Sequence, residues 1–190
     1  GDGTNNGRIG AGAVDIASGA TLDFNVNASG VNYGTSNTFT GGGTLKKTGA
    51  GTLAWSGGAA TFSLGANSKI DVREGTFTGA SSTNEVWTNN KASLNVESGA
   101  TFLGVEGNIK VDALTGGGTV SSGYPGYAYG LTVGVNGGSG TFSGSIQDAN
   151  GKSANLTKEG AGTQILTGNN TYTGTTTISA GVLQVGNGGT

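Results

Sequence analysis

Two short phrases return along this chain at a spacing of about twenty residues, and that recurrence limits its fold more than any other feature. One reads Ile or Val, two residues, Gly, then an apolar residue, as in Ile16 to Leu22, Val72 to Phe77, Val96 to Phe102 and Ile178 to Leu183. The other reads Gly-Thr-apolar, as in Gly43 to Leu45, Gly51 to Leu53, Gly118 to Val120 and Gly140 to Phe142. With one glycine of each phrase as a marker, positions 51, 75, 99, 118, 140, 162 and 181 are separated by 24, 24, 19, 22, 22 and 19 residues; Gly19 and Gly43 are again 24 apart. A phrase that returns with variable insertions marks a solenoid; a sandwich repeats no phrase.

The residues between the glycines are of strand type. Thr, Val, Ile and Phe dominate, and apolar residues alternate with Thr and Ser in LNVESGATFLGV and TTISAGVLQVG, the two-residue period of strands. No window carries a helical apolar stripe, and 41 glycines in 190 residues interrupt almost every stretch long enough for three helical turns. Disorder is the other reading of a chain only 33% hydrophobic, but disordered chains combine low hydrophobicity with high net charge, and here the net charge is -2. The expectation is an all-β chain over residues 1–190, a single parallel β-helix of about 8–9 rungs, with no significant helix. Rungs about 4.8 Å apart would make it on the order of 40 Å long. Leu22, Leu53, Phe77, Phe102, Val120, Phe142 and Leu183 are expected to point inward at equivalent places on successive rungs. Phe77 and Phe102 then stack across adjacent rungs. In the Leu22 and Phe102 copies the corner absorbs one extra residue.

Residues 156 to 186, LTKEGAGTQILTGNNTYTGTTTISAGVLQVG, carry a longer motif. Leu156, Lys158, Gly160, Gly162, Gly168, Asn170, Tyr172, Gly174, Thr175, Thr177, Ile178, Gly181 and Leu183 fall on a pattern that closely resembles the passenger-associated repeat of autotransporters. The text departs from it by what reads as an extra residue around Gln164. A degraded copy lies at 43–57, where Leu45, Lys47, Gly49, Gly51, Leu53, Ser56 and Gly57 match. The resemblance implies a right-handed parallel β-helix, carried through the outer membrane to the bacterial surface by a separate C-terminal barrel, with repeats that assist passenger folding.

Cys, Met and His are absent, which removes disulfides, thiolate chemistry and imidazole ligands. No apolar run approaches 18 residues, so membrane insertion by this segment is not expected, and the first residues read as the interior of a longer polypeptide. Nine basic against eleven acidic residues argue against nucleic acid as a partner. A polysaccharide-cleaving β-helix needs clustered carboxylates, whereas Asp15, Asp23, Asp71, Glu74, Glu97, Glu106, Asp112, Asp148 and Glu159 are scattered. In IDVREG, Lys69, Asp71 and Arg73 alternate with Ile70 and Val72, which reads as a solvated strand face with a cross-strand ion pair. The twelve residues from Asp148 to Glu159 put Lys152 and Ser153 where a calcium loop needs a ligand and Gly. Glycine-rich GAGT at 49–52 and 160–163 lacks a phosphate loop's Gly-Lys-Ser/Thr ending. No cofactor and no catalysis are expected.

One segment resists the repeat. SSGYPGYAYG places Tyr124, Tyr127 and Tyr129 around the only proline, a loop that either covers the solenoid flank or contacts a ligand or partner. Tyr33 and Trp87 are weaker loop anchors of the same kind. The leading expectation is a non-catalytic stalk or display segment of a secreted, adhesin-type surface protein, with host or neighbouring-cell glycans or proteins as possible partners. The alternatives are a carbohydrate-active β-helix and a self-associating matrix or surface-layer protein.

Overall fold

The structure is a computed structural model that describes residues 7–27, 30–32, 36–55, 60–80, 86–104, 107–123, 129–149 and 151–188. Among the described residues there are 21 strands and no helix. Every ladder between named strands is parallel, so the chain is a parallel β-solenoid. Parallel ladders arise because each turn returns the chain to the same face in the same direction, with its apolar residues over those of the turn before.

The solenoid has three faces. The first stacks eight strands: Thr21–Asn25, Thr44–Thr48, Lys69–Val72, Ser93–Val96, Leu114–Gly116, Gly140–Phe142, Thr163–Leu166 and Val182–Val185. The second stacks six, from Val31–Asn32 through Thr52–Ala54, Thr76–Ala80, Thr101–Gly104 and Thr119–Ser122 to Ser145–Asp148. The third is made in two parts. Ala13–Ile16, Thr38–Gly41 and Thr61–Phe62 form its first ladder, and Ile109–Val111, Gly130–Val133, Asn155–Lys158 and Thr176–Ile178 form its second. Between them Val86 makes only an isolated bridge to Thr61.

Inward positions hold the core, and outward positions carry mainly Thr, Ser and charged residues. Leu45, Ile70, Leu94 and Leu114 form one fully buried column on the first face. Leu53, Phe77, Phe102, Val120 and Ile146 form the matching column on the second. Phe77 and Phe102 stack as expected, with ring centroids 5.6 Å apart and planes 13° from parallel. The extra residue before Phe102 is taken up at the corner, where Ala100 N donates to Glu97 O at 2.9 Å and Thr101 pairs in line with Thr76.

The marker column does not hold as one series. Leu53, Phe77, Phe102 and Val120 share the second face, whereas Leu22, Phe142 and Leu183 lie on the first. The cause is that the same corner chemistry serves different vertices. TGGGT at 40–44 turns the chain from the third face to the first, and the identical TGGGT at 115–119 turns it from the first face to the second. A marker glycine therefore reports a corner without saying which one.

Rings fill the early turns. Phe62 lies 4.2 Å from Trp87 and 5.4 Å from Phe39, both stacked, and 5.5 Å edge-on from Trp55. Trp87 is no loop anchor: it is 2% exposed, and its Nε1 donates to Gly79 O at 2.9 Å. It follows Val86, whose bridge to Thr61 places the indole over Phe62 as the next ring of the column that Phe39 and Phe62 begin. Tyr33 lies outside the described residues.

Candidate functional site

The candidate ligand tyrosines come first. Tyr124 and Tyr127 lie outside the described residues. Tyr129 is half-buried and leads into Gly130–Val133, its carbonyl accepting from Asn155 N at 3.2 Å, so its backbone belongs to the solenoid wall.

The IDVREG cluster is tighter than a solvated face. Asp71 is 3% exposed and accepts from Arg73 at 2.7 Å, Lys69 at 3.1 Å and Asn95 at 2.8 Å. Burial acts to raise the Asp71 pKa, but the hydrogen bonds from Arg73, Asn95 and Lys69 outweigh it and hold the carboxyl below its ordinary value. The short ion pairs run along the same turn, and the cross-strand contact from Arg73 to Glu97 is the longer one at 3.7 Å. Glu74 points elsewhere, its Oε2 accepting from Gly49 N at 3.1 Å. Asp148 accepts from Ala154 N at 2.8 Å, Thr173 N at 3.0 Å and Thr173 Oγ1 at 2.7 Å, a brace between turns. Among the described residues no group of three or more His, Cys, Asp and Glu could hold a metal ion. Asp71, Glu74 and Asp148 are each engaged in hydrogen bonds that brace the wall, and Glu97 shares Asn95 and Arg73 with Asp71.

The feature most developed in the structure is the lysine-bearing corner, present twice. Lys47 and Lys158 are fully buried. Lys47 Nζ donates to Thr48 O at 2.8 Å and Gly49 O at 2.6 Å within its own corner, and to Glu74 O at 3.2 Å in the next turn. Lys158 Nζ does the same with Glu159 O, Gly160 O at 2.9 Å and Ala180 O at 3.4 Å. An ammonium has three protons, and each corner turns three carbonyls toward it. Gly49 and Gly160 turn their carbonyls inward through left-handed backbone, at φ +77° and +62°, which a side chain would resist. Burial lowers the Lys47 pKa to about 8, against the opposing pull of Glu74 and Asp23. It lowers that of Lys158 as well, with Asp112 opposing.

The rest of the motif pairs turns by side chain where strands fail. Asn170 Oδ1 accepts from Ile146 N at 2.9 Å and Asn155 Oδ1 from Thr175 N at 2.8 Å. The departure at Gln164 is a substitution, not an insertion: Thr163–Leu166 pairs without a break on both sides. Gln164 points inward at the place of the motif's leucine and is 1% exposed. The ladder between Leu114–Gly116 and Gly140–Phe142 has a single aligned pair, Gly116 with Phe142. Gln164 reaches two turns back past Gly140, accepting from Leu114 N at 3.0 Å and donating to Leu114 O at 2.9 Å. The side-chain amide thus does the work of the missing peptide.

Sequence reasoning saw both lysines as motif letters and missed what they bind. The usable signal was a lysine two residues after a core leucine and two before a glycine, in both copies.

With this geometry in view, the comparisons fall into place. The passenger-associated-transport-repeat family matches residues 156–185, the stretch that contains Lys158, Gln164 and Asn170. A protein described as an adhesin BmaC autotransporter, from Brucella suis biovar 1 (strain 1330), is 53% identical over 57 residues, which cover 30% of this chain and 2% of that protein. The chain therefore spans a small fraction of that relative's length. No solved structure matches the chain.

Proposed function

We propose that this chain is a non-catalytic, load-spanning segment of a right-handed β-helical passenger on a bacterial surface, of the autotransporter adhesin type, which spaces a distal module from the cell and helps the passenger fold as it emerges. The observation that carries the reading is the pair of lysine corners, one of which falls in the matched family repeat. Each clip bonds a corner to the next turn, so a turn already folded presents the site on which its neighbour closes. That suits a chain that must fold one rung after another without an energy source. The carboxylates engaged in local bonds support a structural rather than a hydrolytic role.

The test is surface display. A parent passenger carrying this segment should reach the cell surface at full length, and deletion of 156–185 or Lys158→Met should reduce the protease-accessible surface fraction while leaving synthesis unchanged. Equal display of all three forms would remove the folding role. A compact sphere in solution scattering of the isolated chain would remove the spacer.

A further inference from the structure

The third face changes ladders at residues 86–92, and a groove of about 470 Å³ opens there. Its lining comes from five successive turns, with Ser63, Asn90, Lys91, Lys110, Val135 and Glu159 among its residues. Five turns at the rung spacing make it about 19 Å long along the solenoid axis. That length suits an extended chain of several rings rather than one small molecule.

Three observations define what the groove would hold. Lys91 and Lys110 come from adjacent turns, and among the described residues neither ammonium has a carboxylate within ion-pair distance. Glu159 is the single carboxylate in the lining. Asn90 is 2% exposed, its Nδ2 donates to Lys110 O at 2.8 Å, and its Oδ1 has no hydrogen-bond partner. A buried acceptor without a donor is uncommon in a native wall, and this one is sealed beneath the groove surface, so a hydroxyl reaches it only through a small shift of the Thr88–Lys91 turn. The backbone is already engaged, since Lys91 N donates to Leu64 O and Asp112 N to Ala92 O, both at 2.9 Å. A peptide therefore has no free strand edge to pair with. Hydroxyl and amide side chains at Ser63, Thr88 and Asn89, with the partly exposed Val135 beside them, suit an occupant that presents both hydroxyls and apolar ring faces.

We infer that this groove binds an acidic oligosaccharide, with Lys91 and Lys110 on its carboxylates and the Thr88–Lys91 turn on its hydroxyls. The inference goes beyond the spacer reading, whose own test is display and shape, so either can fail alone. The experiment is fluorescence anisotropy of a labelled oligogalacturonate with the 190-residue chain at low ionic strength. Lys91→Ala combined with Lys110→Ala should weaken binding on the order of tenfold or more. Lys152→Ala, a control on an exposed residue elsewhere, should leave it unchanged, and Glu159→Gln should tighten it. The carboxyl-reduced oligosaccharide and polyglutamate should bind far more weakly. No binding by the unmodified chain, undiminished binding by the double variant, or equal binding of either control polymer would each overturn the proposal. If the double variant loses its β-type dichroism, Lys91→Ala alone, on an exposed turn, decides.

Discussion

The turns before residue 104 and those after it solve the same problem with different materials. In the first region Phe24, Phe39, Trp55, Phe62, Phe77, Trp87 and Phe102 make one continuous series of ring contacts between 4.2 and 6.3 Å. Among the described residues of the second region Phe142 is the one fully buried ring, with Tyr172 packed partly buried against a core that is otherwise aliphatic. There the turns are joined by Gln164, Asn170, Asn155 and Asp148, whose side chains bond to backbone of other turns. Rings give area and tolerate a ladder reduced to one bridge, as beside Trp87, because packing is not directional. Polar clips give no area but fix which turn follows which, because a hydrogen bond fails when its partner shifts. The lysine corner is common to both regions, and so it is the device against which the two can be compared.

The largest effect should come from the ring series. Phe62→Ala removes a side chain in contact with four other rings, Phe39, Trp55, Phe77 and Trp87, in a core only a few side chains wide. It should cost about 3–5 kcal/mol in urea unfolding. Phe142→Ala should cost less, since no ring pair is lost with it among the described residues. Equal losses at the two sites would break the contrast between the regions.

Next come the clips. Lys47→Met keeps the length of the side chain and deletes three donors, leaving the carbonyls of Gly49 and Glu74 without partners, while Thr48 O keeps its bond from Val26 N. Relief from burying a charge offsets part of that, so the net loss should be about 2–3 kcal/mol. Lys158→Met should behave alike. A neutral result at both sites would mean that the corners hold by packing alone. Smaller again is Gln164→Leu, which restores the motif's own residue and adds apolar burial yet strands Leu114 N and O. The chain should lose about 1–2 kcal/mol, read as a lower urea midpoint. A gain in stability would show that the weak ladder at Leu114–Gly116 can close without the amide.

Much of the fold was legible because its cause is local. Alternation placed Phe77, Phe102 and Leu53 inward, and their recurrence put Phe77 over Phe102. The assignment of corners was not legible, since TGGGT at 40–44 and at 115–119 is the same text at different vertices. Trp87 was misjudged because the residues around it, ASSTNEVWTNNK, are polar, and only the bridge from Val86 to Thr61 puts the indole over Phe62. Gln164 read as an insertion because an amide has no reason to stand in a leucine column until the gap two turns away is seen. The groove was invisible for the same reason: Lys91 and Lys110 are 19 residues apart in the chain and meet only because one turn happens to be that long. Contacts made across turns of unequal length leave no spacing to read.

The smallest expected effect is a pH dependence, and it separates the two lysine corners from the rest of the charge. Folded Lys47 releases its proton near pH 8, whereas in the unfolded chain it does so near 10.5. Between those values the unfolded state binds more protons than the folded one, so unfolding becomes less favourable as pH rises. This contribution is flat below about pH 8, climbs through the interval and levels off above 10.5. The neutral amine still donates to two carbonyls, so the corner need not open as it discharges. Other groups also titrate there, which is why the quantity to measure is a difference. The urea midpoint of the unmodified chain, minus that of Lys47→Met, should increase between about pH 7 and about pH 10. Lys158→Met should show a difference of the same sign, since burial lowers that pKa too. A difference that stays constant, or shrinks, would mean that the buried ammonium is not held at a cost and that its three hydrogen bonds fully replace water.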